Sequence, residues 1–410
     1  MKNVHGDDRW MGKRILIVSA SAGTGHVRAA EALGKVFARQ AEVEEVRCID
    51  ALKYTNLLFR DFYSKLYKQL VEKAPGFLGW WYKMSDEPWR TDRMRSMLDR
   101  LNMAPLIKQI TGFNPDITVC THFLPATLIS HLISEKKLQA RLSIVVTDLD
   151  FHAMWLSRVF HRYFVALEET KVHLEKLGLP GDRISVSGIP IDPAFGEKAD
   201  VRALRLELGL DPDLPVLLLS AGALGVSPAE VALEALLELR HPAQIVVVAG
   251  RNEVLRGRLE AIAARAPFPL IRVVVIGYTE VMERWMGAAT LLLGKPGGLT
   301  ISEAMARGLP MVVISPIPGQ EERNSDHLLE NGIAIKCNEF TTLAFKVDAL
   351  LGDPVRLDRM RGQALAHARP EAALAIVRTL LGETRRPQEP VELDEAQKEE
   401  IARVAKSVKI

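Results

Sequence analysis

Short runs of β-branched and aliphatic residues alternate with longer amphipathic segments along most of this 410-residue chain. The alternation is typical of βαβ units, in which helices join parallel strands and cover both faces of the sheet. A first series of strands is predicted at residues 14–19, 43–49, 116–120, 142–147, 163–167 and 184–187. A second series is predicted at residues 216–220, 244–249, 271–276, 290–293, 311–314 and 333–336. The pattern therefore predicts an α/β protein with two doubly wound, Rossmann-like domains.

The segment between the two series, GIPIDPAFGEKADV, contains two prolines and two glycines, as linkers commonly do. We expect an N-terminal domain over residues 1–195, a C-terminal domain over residues 196–384, and a charged appendage over residues 385–410. Ligands of open α/β sheets bind at the carboxyl ends of the strands. The site is therefore expected in the cleft between the two domains.

The composition excludes several classes of protein. A formal net charge of +2 lacks the basic excess of a nucleic-acid binder. The three cysteines are far apart, which argues against a disulfide framework or a zinc site. The chain has no uninterrupted apolar stretch of about 18 residues and no apolar leader before its first strand. The sequence predicts a cytoplasmic protein that is at most peripheral to a membrane.

The first glycine-rich loop, SASAGTGHVRAA, follows a predicted strand and opens a helix. Gly23 and Gly25 would let a ligand approach backbone N–H groups at the start of the helix, where negative charge is favoured. A dinucleotide fingerprint needs a third glycine at the position of Arg28, so a nicotinamide-dependent oxidoreductase is disfavoured. His26, at the start of this helix, is expected to face the cleft.

The second glycine-rich loop, in LLLGKPGGLTISEAMARGLPMV, is the most informative stretch of the sequence. Gly297 and Gly298 would leave the N–H groups of Gly298, Leu299 and Thr300 open to an anion such as a diphosphate. Glu303 has two alternative roles: it completes a capping box with Thr300, or it binds the hydroxyls of a ribose. Downstream, PIPGQEERNSDHLLENG places amides and carboxylates on a proline-shaped loop, which suits a polyhydroxylated ligand.

Together, SAGTGHVRAAEAL, KPGGLTISEA, GLPMV and PIPGQE with Asn324 resemble the bacterial diacylglycerol glucosyltransferases and the plant monogalactosyldiacylglycerol synthases. The resemblance covers about residues 14–350. It implies the GT-B fold, a UDP-sugar donor bound mainly by the C-terminal domain, inversion at the anomeric carbon, and diacylglycerol as the acceptor at a membrane. No metal or other cofactor is expected.

The resemblance also implies roles for individual residues in binding the donor. The diphosphate would be held by the backbone after Gly297, at Gly298, Leu299 and Thr300, with Gly25 and Gly222 in the glycine loops on either side. The ribose would be bound by Glu303. The sugar hydroxyls would be bound by Gln320 and Glu321, and Asn324, on the same polar loop, would also bind the substrate. The nucleobase of the donor would be bound by Arg251, Asn252 and the backbone at Ile276 and Tyr278.

The acceptor hydroxyl must lose a proton as it attacks, so a base is needed within hydrogen-bonding reach. Asp148, Asp150 and His152 follow a predicted strand in TDLDFHAMW and would face the same cleft as His26. We expect His26 and Asp148 to be the catalytic pair. The D-x-D formed by Asp148 and Asp150 is interpreted as a chance match rather than a metal site.

Ten of the 25 aromatic residues lie between residues 54 and 89. From residue 53 to residue 108 there are 11 Lys and Arg against 6 Asp and Glu. Aromatic residues at helical spacing beside basic residues are typical of an interfacial helix, although an aromatic-rich core helix is the alternative. We expect residues 54–108 to face an anionic membrane and to contact the lipid acceptor, through Phe59, Phe62, Tyr63, Trp80 and Trp81.

The sequence therefore predicts an inverting UDP-sugar hexosyltransferase that acts on diacylglycerol or a similar lipid at the inner face of the cell membrane, with glucose as the expected sugar. A transferase for a polyprenyl-linked cell-wall intermediate and a noncatalytic nucleotide-sugar sensor are the alternatives. The sequence leaves open which sugar is transferred, how many are added, and which of His26, Asp148 and Asp150 is the base.

Overall fold

The computed structural model describes residues 12–21, 23–54, 86, 89, 103–222, 228–383 and 388–407. Its first half forms a parallel sheet of six strands in the order β2-β1-β3-β4-β5-β6. The strands are β1 (Lys13–Ser19), β2 (Val43–Asp50), β3 (Ile117–Cys120), β4 (Arg141–Val145), β5 (Arg162–Val165) and β6 (Ile184–Val186). The strand order reverses at β1, so the carboxyl ends of β1 and β3 border a crevice.

The second half forms another parallel sheet of six strands, in the order β12-β11-β10-β7-β8-β9. Its strands are β7 (Val216–Ser220), β8 (Ala243–Val248), β9 (Ile271–Ile276), β10 (Leu291–Gly294), β11 (Met311–Ile314) and β12 (Ala334–Cys337). Here the order reverses between β7 and β10. The prediction of two doubly wound, Rossmann-like domains is confirmed.

Helices cover both faces of the two sheets, because both faces carry buried aliphatic residues. In the first half they are α1 (Thr24–Phe37), α2 (Ala104–Phe113), α3 (Phe123–Ser134) and α4 (Glu168–Lys176). In the second half they are α5 (Val201–Glu207), α6 (Ala229–Leu236), α7 (Glu253–Ala263), α8 (Met282–Ala288), α9 (Gly298–Ala306), α10 (Gln320–Glu330), α11 (Leu343–Leu351) and α12 (Pro354–His367). None of the described helices is long and apolar enough to cross a membrane.

The chain returns to the first sheet after residue 368. Helix α13 (Ala372–Gly382) packs beside α1, and its Ile376, Val377 and Leu380 are buried with Ile15 and Ile17 of β1. By packing, α13 belongs with the N-terminal sheet, although the sequence placed residues 372–382 in the C-terminal domain. The sequence could not reveal this return, because an apolar helix face does not specify which sheet covers it.

The residues after α13 also pack on the first domain. Val391, Leu393 and Ile401 are buried with the aliphatic residues of the first sheet, and Ile401 belongs to α14 (Glu395–Ser407). The side chain of Gln388 donates to the carbonyl oxygen of Ala140 at 2.7 Å and accepts from the N–H of Leu142 at 2.7 Å. This segment was expected to be a charged appendage, and its described residues contribute to a domain core.

Candidate active site

The two glycine-rich loops contact each other where the carboxyl ends of the two sheets meet. A Cβ atom built on Gly25, in α1, would lie 3.7 Å from the Cβ of Leu299, in α9. A Cβ atom built on Gly298 would overlap with the carbonyl oxygen of Thr147, which follows β4. Gly298 is therefore required by the close approach of the two domains, whether or not an anion binds beside it.

Helix α9 begins at Gly298 and has Gly297 as its N-cap residue. Glycine has no side chain to accept hydrogen bonds from the first turn, so the N–H groups of Gly298, Leu299 and Thr300 remain available to an anion. The capping box predicted from Thr300 and Glu303 is wrong, because Thr300 lies inside the first turn and not at the N-cap. Glu303 lies in the second turn, which leaves ribose binding as its remaining predicted role.

A cavity of about 420 Å³ lies between the two domains beside α9. The second domain contributes Arg251, Tyr278, Leu299 and Glu303 to its lining, all of which the sequence assigned to the donor. The guanidinium of Arg251 lies 4.3 Å from the ring centroid of Tyr278. The opposite wall is formed by α1, which presents Arg28 to the cavity. The structure thus brings four of the predicted donor residues together.

The charge of Glu303 is controlled by its surroundings. Burial raises the pKa of its carboxyl to about 8, while the positive charge of Arg28 acts in the opposite direction. Arg28 itself makes no hydrogen bond within the described part of the chain. Its guanidinium therefore keeps its donors available for a ligand in the cavity.

Several other predicted donor residues are not among the described residues that line this cavity, and three of them are Asn252, Ile276 and Gly222. Asn252 caps α7, because its Oδ1 accepts from the N–H of Leu255 at 3.0 Å. The carbonyl oxygen of Ile276 accepts from the N–H of Ala249 at 2.9 Å, as part of the sheet. Gly222 has a positive φ of 76° and directly precedes residues 223–227, which are not described.

His26 lies at the carboxyl edge of the first sheet, as expected. Its Nδ1 is 3.0 Å from the carbonyl oxygen of Thr121 and 2.7 Å from Oγ1 of Thr147. A carbonyl oxygen can only accept, so Nδ1 carries the proton and Nε2 keeps its lone pair. Burial lowers the pKa of His26 to about 4, which keeps the imidazole neutral at physiological pH. A neutral imidazole with a free Nε2 lone pair has the chemistry of a general base.

Asp148 is buried in the same cleft. Burial raises the pKa of its carboxyl to about 7, and a hydrogen bond from the amide of Gln320 opposes that rise. Glu321 lies close enough for its charge to act on Asp148, and its own Oε2 accepts from the N–H of Ile317 at 2.7 Å. The structure therefore brings Asp148, Gln320 and Glu321 together across the two domains.

Asn324 and Arg323, on α10, connect the two domains. Asn324 is fully buried; its Oδ1 accepts from the N–H of Leu149 at 3.2 Å and its Nδ2 donates to the carbonyl oxygen of Pro296 at 3.0 Å. Arg323 forms two ion pairs: its Nη1 lies 2.8 Å from Oδ2 of Asp150, and its Nη2 lies 3.2 Å from Oδ2 of Asp86. Asp150 is thus held by an arginine.

Among the described residues, no group of three or more His, Cys, Asp or Glu side chains could hold a metal ion.

Sequence reasoning missed Arg28, Arg323 and His122 as residues of this site. Arg28 was considered only as an obstacle to a dinucleotide fingerprint, and Arg323 lies among the polar residues of the PIPGQEERN loop. His122 lies two residues after the end of β3, and this position beyond a strand end was the signal that could have identified it. The predicted membrane contacts Phe59, Phe62, Tyr63, Trp80 and Trp81 lie outside the described residues.

These features together define a glycosyltransferase of the GT-B class, with two Rossmann-like domains and a site in the cleft between them. The family model for monogalactosyldiacylglycerol synthase matches residues 26–191, and that for glycosyl transferases group 1 matches residues 202–367. A processive diacylglycerol beta-glucosyltransferase of Bacillus cereus (strain AH187) is 30% identical over 381 residues, which cover 90% of this chain and 94% of the relative. The chain belongs to this family of diacylglycerol glucosyltransferases.

A second curated relative and a solved structure are also similar to this chain. A processive diacylglycerol beta-glucosyltransferase of Staphylococcus saprophyticus is 29% identical over 375 residues, covering 90% of this chain and 92% of the relative. The crystal structure of Acinetobacter baumannii MurG superimposes with a TM-score of 0.55 at 19% identity, covering 90% of this chain and all of that one. At that identity the structural match supports the fold alone.

Proposed function

We propose that this protein transfers a hexose, with glucose as the preferred sugar, from a UDP-sugar to diacylglycerol or a similar membrane lipid with inversion at the anomeric carbon. The observation that carries the proposal is the placement of Glu303 in an interdomain cavity beside the uncapped start of α9, with His26 in the facing domain. This arrangement suits a nucleoside diphosphate on one side and a reacting hydroxyl on the other. The names of the relatives supply the lipid and the sugar.

In the proposed reaction, Nε2 of His26 accepts the proton of the acceptor hydroxyl as its oxygen bonds to the anomeric carbon. The bond from that carbon to the diphosphate oxygen breaks, and UDP leaves with the electron pair. The N–H groups of Gly298, Leu299 and Thr300, with the dipole of α9, stabilise the negative charge on the leaving group. Asp148 and Gln320 would contact the transferred sugar, with Glu321 beside them.

Helix α9 supplies this stabilisation without a metal ion, so we expect the transfer to continue in EDTA. Loss of activity on chelation, with recovery on addition of magnesium or manganese, would instead assign Asp148 and Asp150 to a cation.

Incubating the purified protein with a panel of UDP-sugars and lipids, followed by mass spectrometry of the products, tests the proposed function. The lipids should include diacylglycerol alone, diacylglycerol in anionic vesicles, and a polyprenyl-linked acceptor. We expect hexosyl-diacylglycerol, formed fastest from UDP-glucose. Transfer only to the polyprenyl-linked acceptor, or binding of UDP-sugar without turnover, would contradict the proposal.

We also propose that the segment from residue 54 to residue 108 docks the protein on the anionic inner face of the cell membrane. Its aromatic residues and its 10 Lys and Arg against 6 Asp and Glu support this placement. Replacing Trp80 and Trp81 by serine should reduce binding to anionic vesicles and slow transfer to lipid, while UDP affinity stays unchanged. Phe345→Ser provides the control, because Phe345 is an exposed aromatic residue outside this segment. A lower melting temperature with normal vesicle binding would place the tryptophans in a core.

A further inference from the structure

Four aromatic rings lie together at the carboxyl edge of the first sheet. The ring centroids of His26 and His122 are 4.7 Å apart in an edge-on arrangement, and the centroid of Phe123 lies 4.2 Å from that of His122. The ring of Trp155 lies 6.3 Å from His26 and 6.4 Å from His122. His122 is only 3% exposed, and the proposed reaction gives it no role.

The tautomer of His122 follows from the structure. His122 is the N-cap residue of α3, and its Nδ1 accepts from the backbone N–H of Leu124 at 3.1 Å. A neutral imidazole that accepts at Nδ1 carries its proton at Nε2. Burial and the neighbouring His26 lower the pKa of His122 well below its usual value, so the ring is neutral at physiological pH.

The two histidines are therefore held in opposite tautomers. His26 donates from Nδ1 to the carbonyl oxygen of Thr121 and offers a lone pair at Nε2. His122 accepts at Nδ1 and offers a proton at Nε2. Within the described part of the chain, no group bonds Nε2 of His122. Beside the proposed base, a donor that has no partner among the described residues points to an oxygen of the substrate.

We propose that Nε2–H of His122 donates a hydrogen bond to the acceptor oxygen on the carbon next to the one that bears the attacking hydroxyl. In diacylglycerol this is the ester oxygen on the central glycerol carbon. A donor to the attacking oxygen itself would weaken the nucleophile, whereas a bond to its neighbour orients the hydroxyl towards Nε2 of His26. His122 is thus a positioning residue that selects acceptors with oxygens on adjacent carbons. This inference rests on the proposed function.

Two substitutions separate this role from helix capping. His122→Asn keeps an acceptor for the N–H of Leu124 and removes the donor at the position of Nε2. His122→Gln reaches the position of Nε2 with an amide N–H and gives up the cap. His122→Asn should keep the melting temperature and raise KM for diacylglycerol by about three- to tenfold, the cost of one hydrogen bond. His122→Gln should lower the melting temperature and keep KM closer to that of the unsubstituted protein.

The acceptor supplies the second comparison. An acylated propane-1,3-diol has the same attacking hydroxyl as diacylglycerol but lacks the oxygen on the central carbon. With this acceptor, kcat/KM of His122→Asn should equal that of the unsubstituted protein. Equal losses on both acceptors, or no loss on diacylglycerol, would overturn the role of His122. An unsubstituted protein that transfers no sugar to diacylglycerol would instead overturn the proposed function, and that result appears before any variant is compared.

Discussion

Oδ1 of Asn324, in the second domain, accepts a hydrogen bond from the backbone N–H of Leu149, in the first domain, at 3.2 Å. The Nδ2 atom of the same amide donates to the carbonyl oxygen of Pro296 at 3.0 Å. Asn324 is fully buried, so each of these bonds satisfies a backbone group that water cannot reach. The amide therefore connects the loop after β4 to the loop that begins α9.

Replacing Asn324 by aspartate keeps the shape of the side chain and removes its donor. We expect the free energy of unfolding to fall by at least about 1–3 kcal/mol, because the buried carbonyl of Pro296 loses its donor and then faces a carboxylate. Denaturant titration measures this loss. Asn331→Asp is the matched control, because Asn331 ends the same helix at a half-buried position. A normal free energy of unfolding with weaker UDP-sugar binding would instead favour the role in sugar recognition predicted from the sequence.

The pH profile of kcat/KM distinguishes the two candidate bases. The pKa of His26, lowered by burial to about 4, leaves the base available at all higher pH values. The carboxyl of Asp148, with a pKa raised by burial to about 7, loses its proton only near neutral pH. If His26 is the base, the acidic limb has its midpoint near pH 4; if Asp148 is the base, near pH 7. The neighbours that act on the two titrating groups also differ. His122 faces His26, whereas Gln320, Glu321 and Asp150 face Asp148.

Substitutions of His26 and Asp148 provide a second test of which residue is the base. His26→Ala should lower kcat by at least about 100-fold, the usual contribution of a general base. Asp148→Asn should retain more activity, since the amide oxygen can still accept the hydrogen bond from Gln320. An acidic limb centred near pH 7 that disappears in Asp148→Asn would assign the base to Asp148.

The assignment of Glu303 to the ribose has its own test. Glu303→Ala should weaken UDP binding about tenfold or more, because the ribose hydroxyls lose a hydrogen-bond partner. Calorimetric titration with UDP measures the change. Glu260→Ala is a suitable control, because Glu260 is exposed on α7. Unchanged UDP affinity in a folded variant would remove the ribose role.

The sequence predicted the strands of both sheets because each is a short aliphatic run between turn residues. It also predicted that His26, Asp148 and Glu303 would lie in one cleft, because all follow the carboxyl ends of parallel strands. These inferences use local patterns and one rule of topology, so they need no three-dimensional contacts.

The contacts between domains could not be predicted in this way. Asn324 has the same sequence context whether its amide binds a sugar hydroxyl or the N–H of Leu149. The sequence pattern around Gly298 predicts an anion site. The structure also places the carbonyl oxygen of Thr147, in the other domain, where a Cβ atom of residue 298 would lie. The tautomer of His122 depends on the backbone N–H of Leu124, which reaches Nδ1 because α3 begins directly after His122. Each of these features depends on a partner that is distant in sequence or on the exact first residue of a helix.

The segment after α13 should contribute to the stability of the first domain. Leu393 is buried, and a Cβ atom built on Gly178 would overlap with its side chain, so the two surfaces fit closely. Leu393→Ala should lower the free energy of unfolding by about 2–5 kcal/mol, the range for a buried leucine. Glu392→Ala, at the exposed neighbouring position, should change it by less than about 0.5 kcal/mol. Equal stability of the two variants would mean that this segment is a loosely attached appendage.

The buried carboxyl of Glu303 should make the protein less stable as the pH rises. Burial is the main cause of its pKa of about 8, and Asp192 and Glu283 raise it further, while Arg28 opposes them. Between pH 4.5, the ordinary pKa of a glutamate, and about pH 8, the folded protein therefore holds a proton that the unfolded chain has released. Stability falls with pH wherever the folded state binds more protons, so this contribution is lost progressively across that window.

Glu303→Gln removes the titration and keeps the size of the side chain. Relative to the unsubstituted protein, its free energy of unfolding should rise with pH through this window and level off above about pH 8, at a difference on the order of a few kcal/mol. Urea titrations at a series of pH values measure this difference. Asp148 titrates in both proteins and cancels in the comparison. A difference that does not change with pH would mean that Glu303 is already ionised in the folded protein, paired with Arg28 across the cavity.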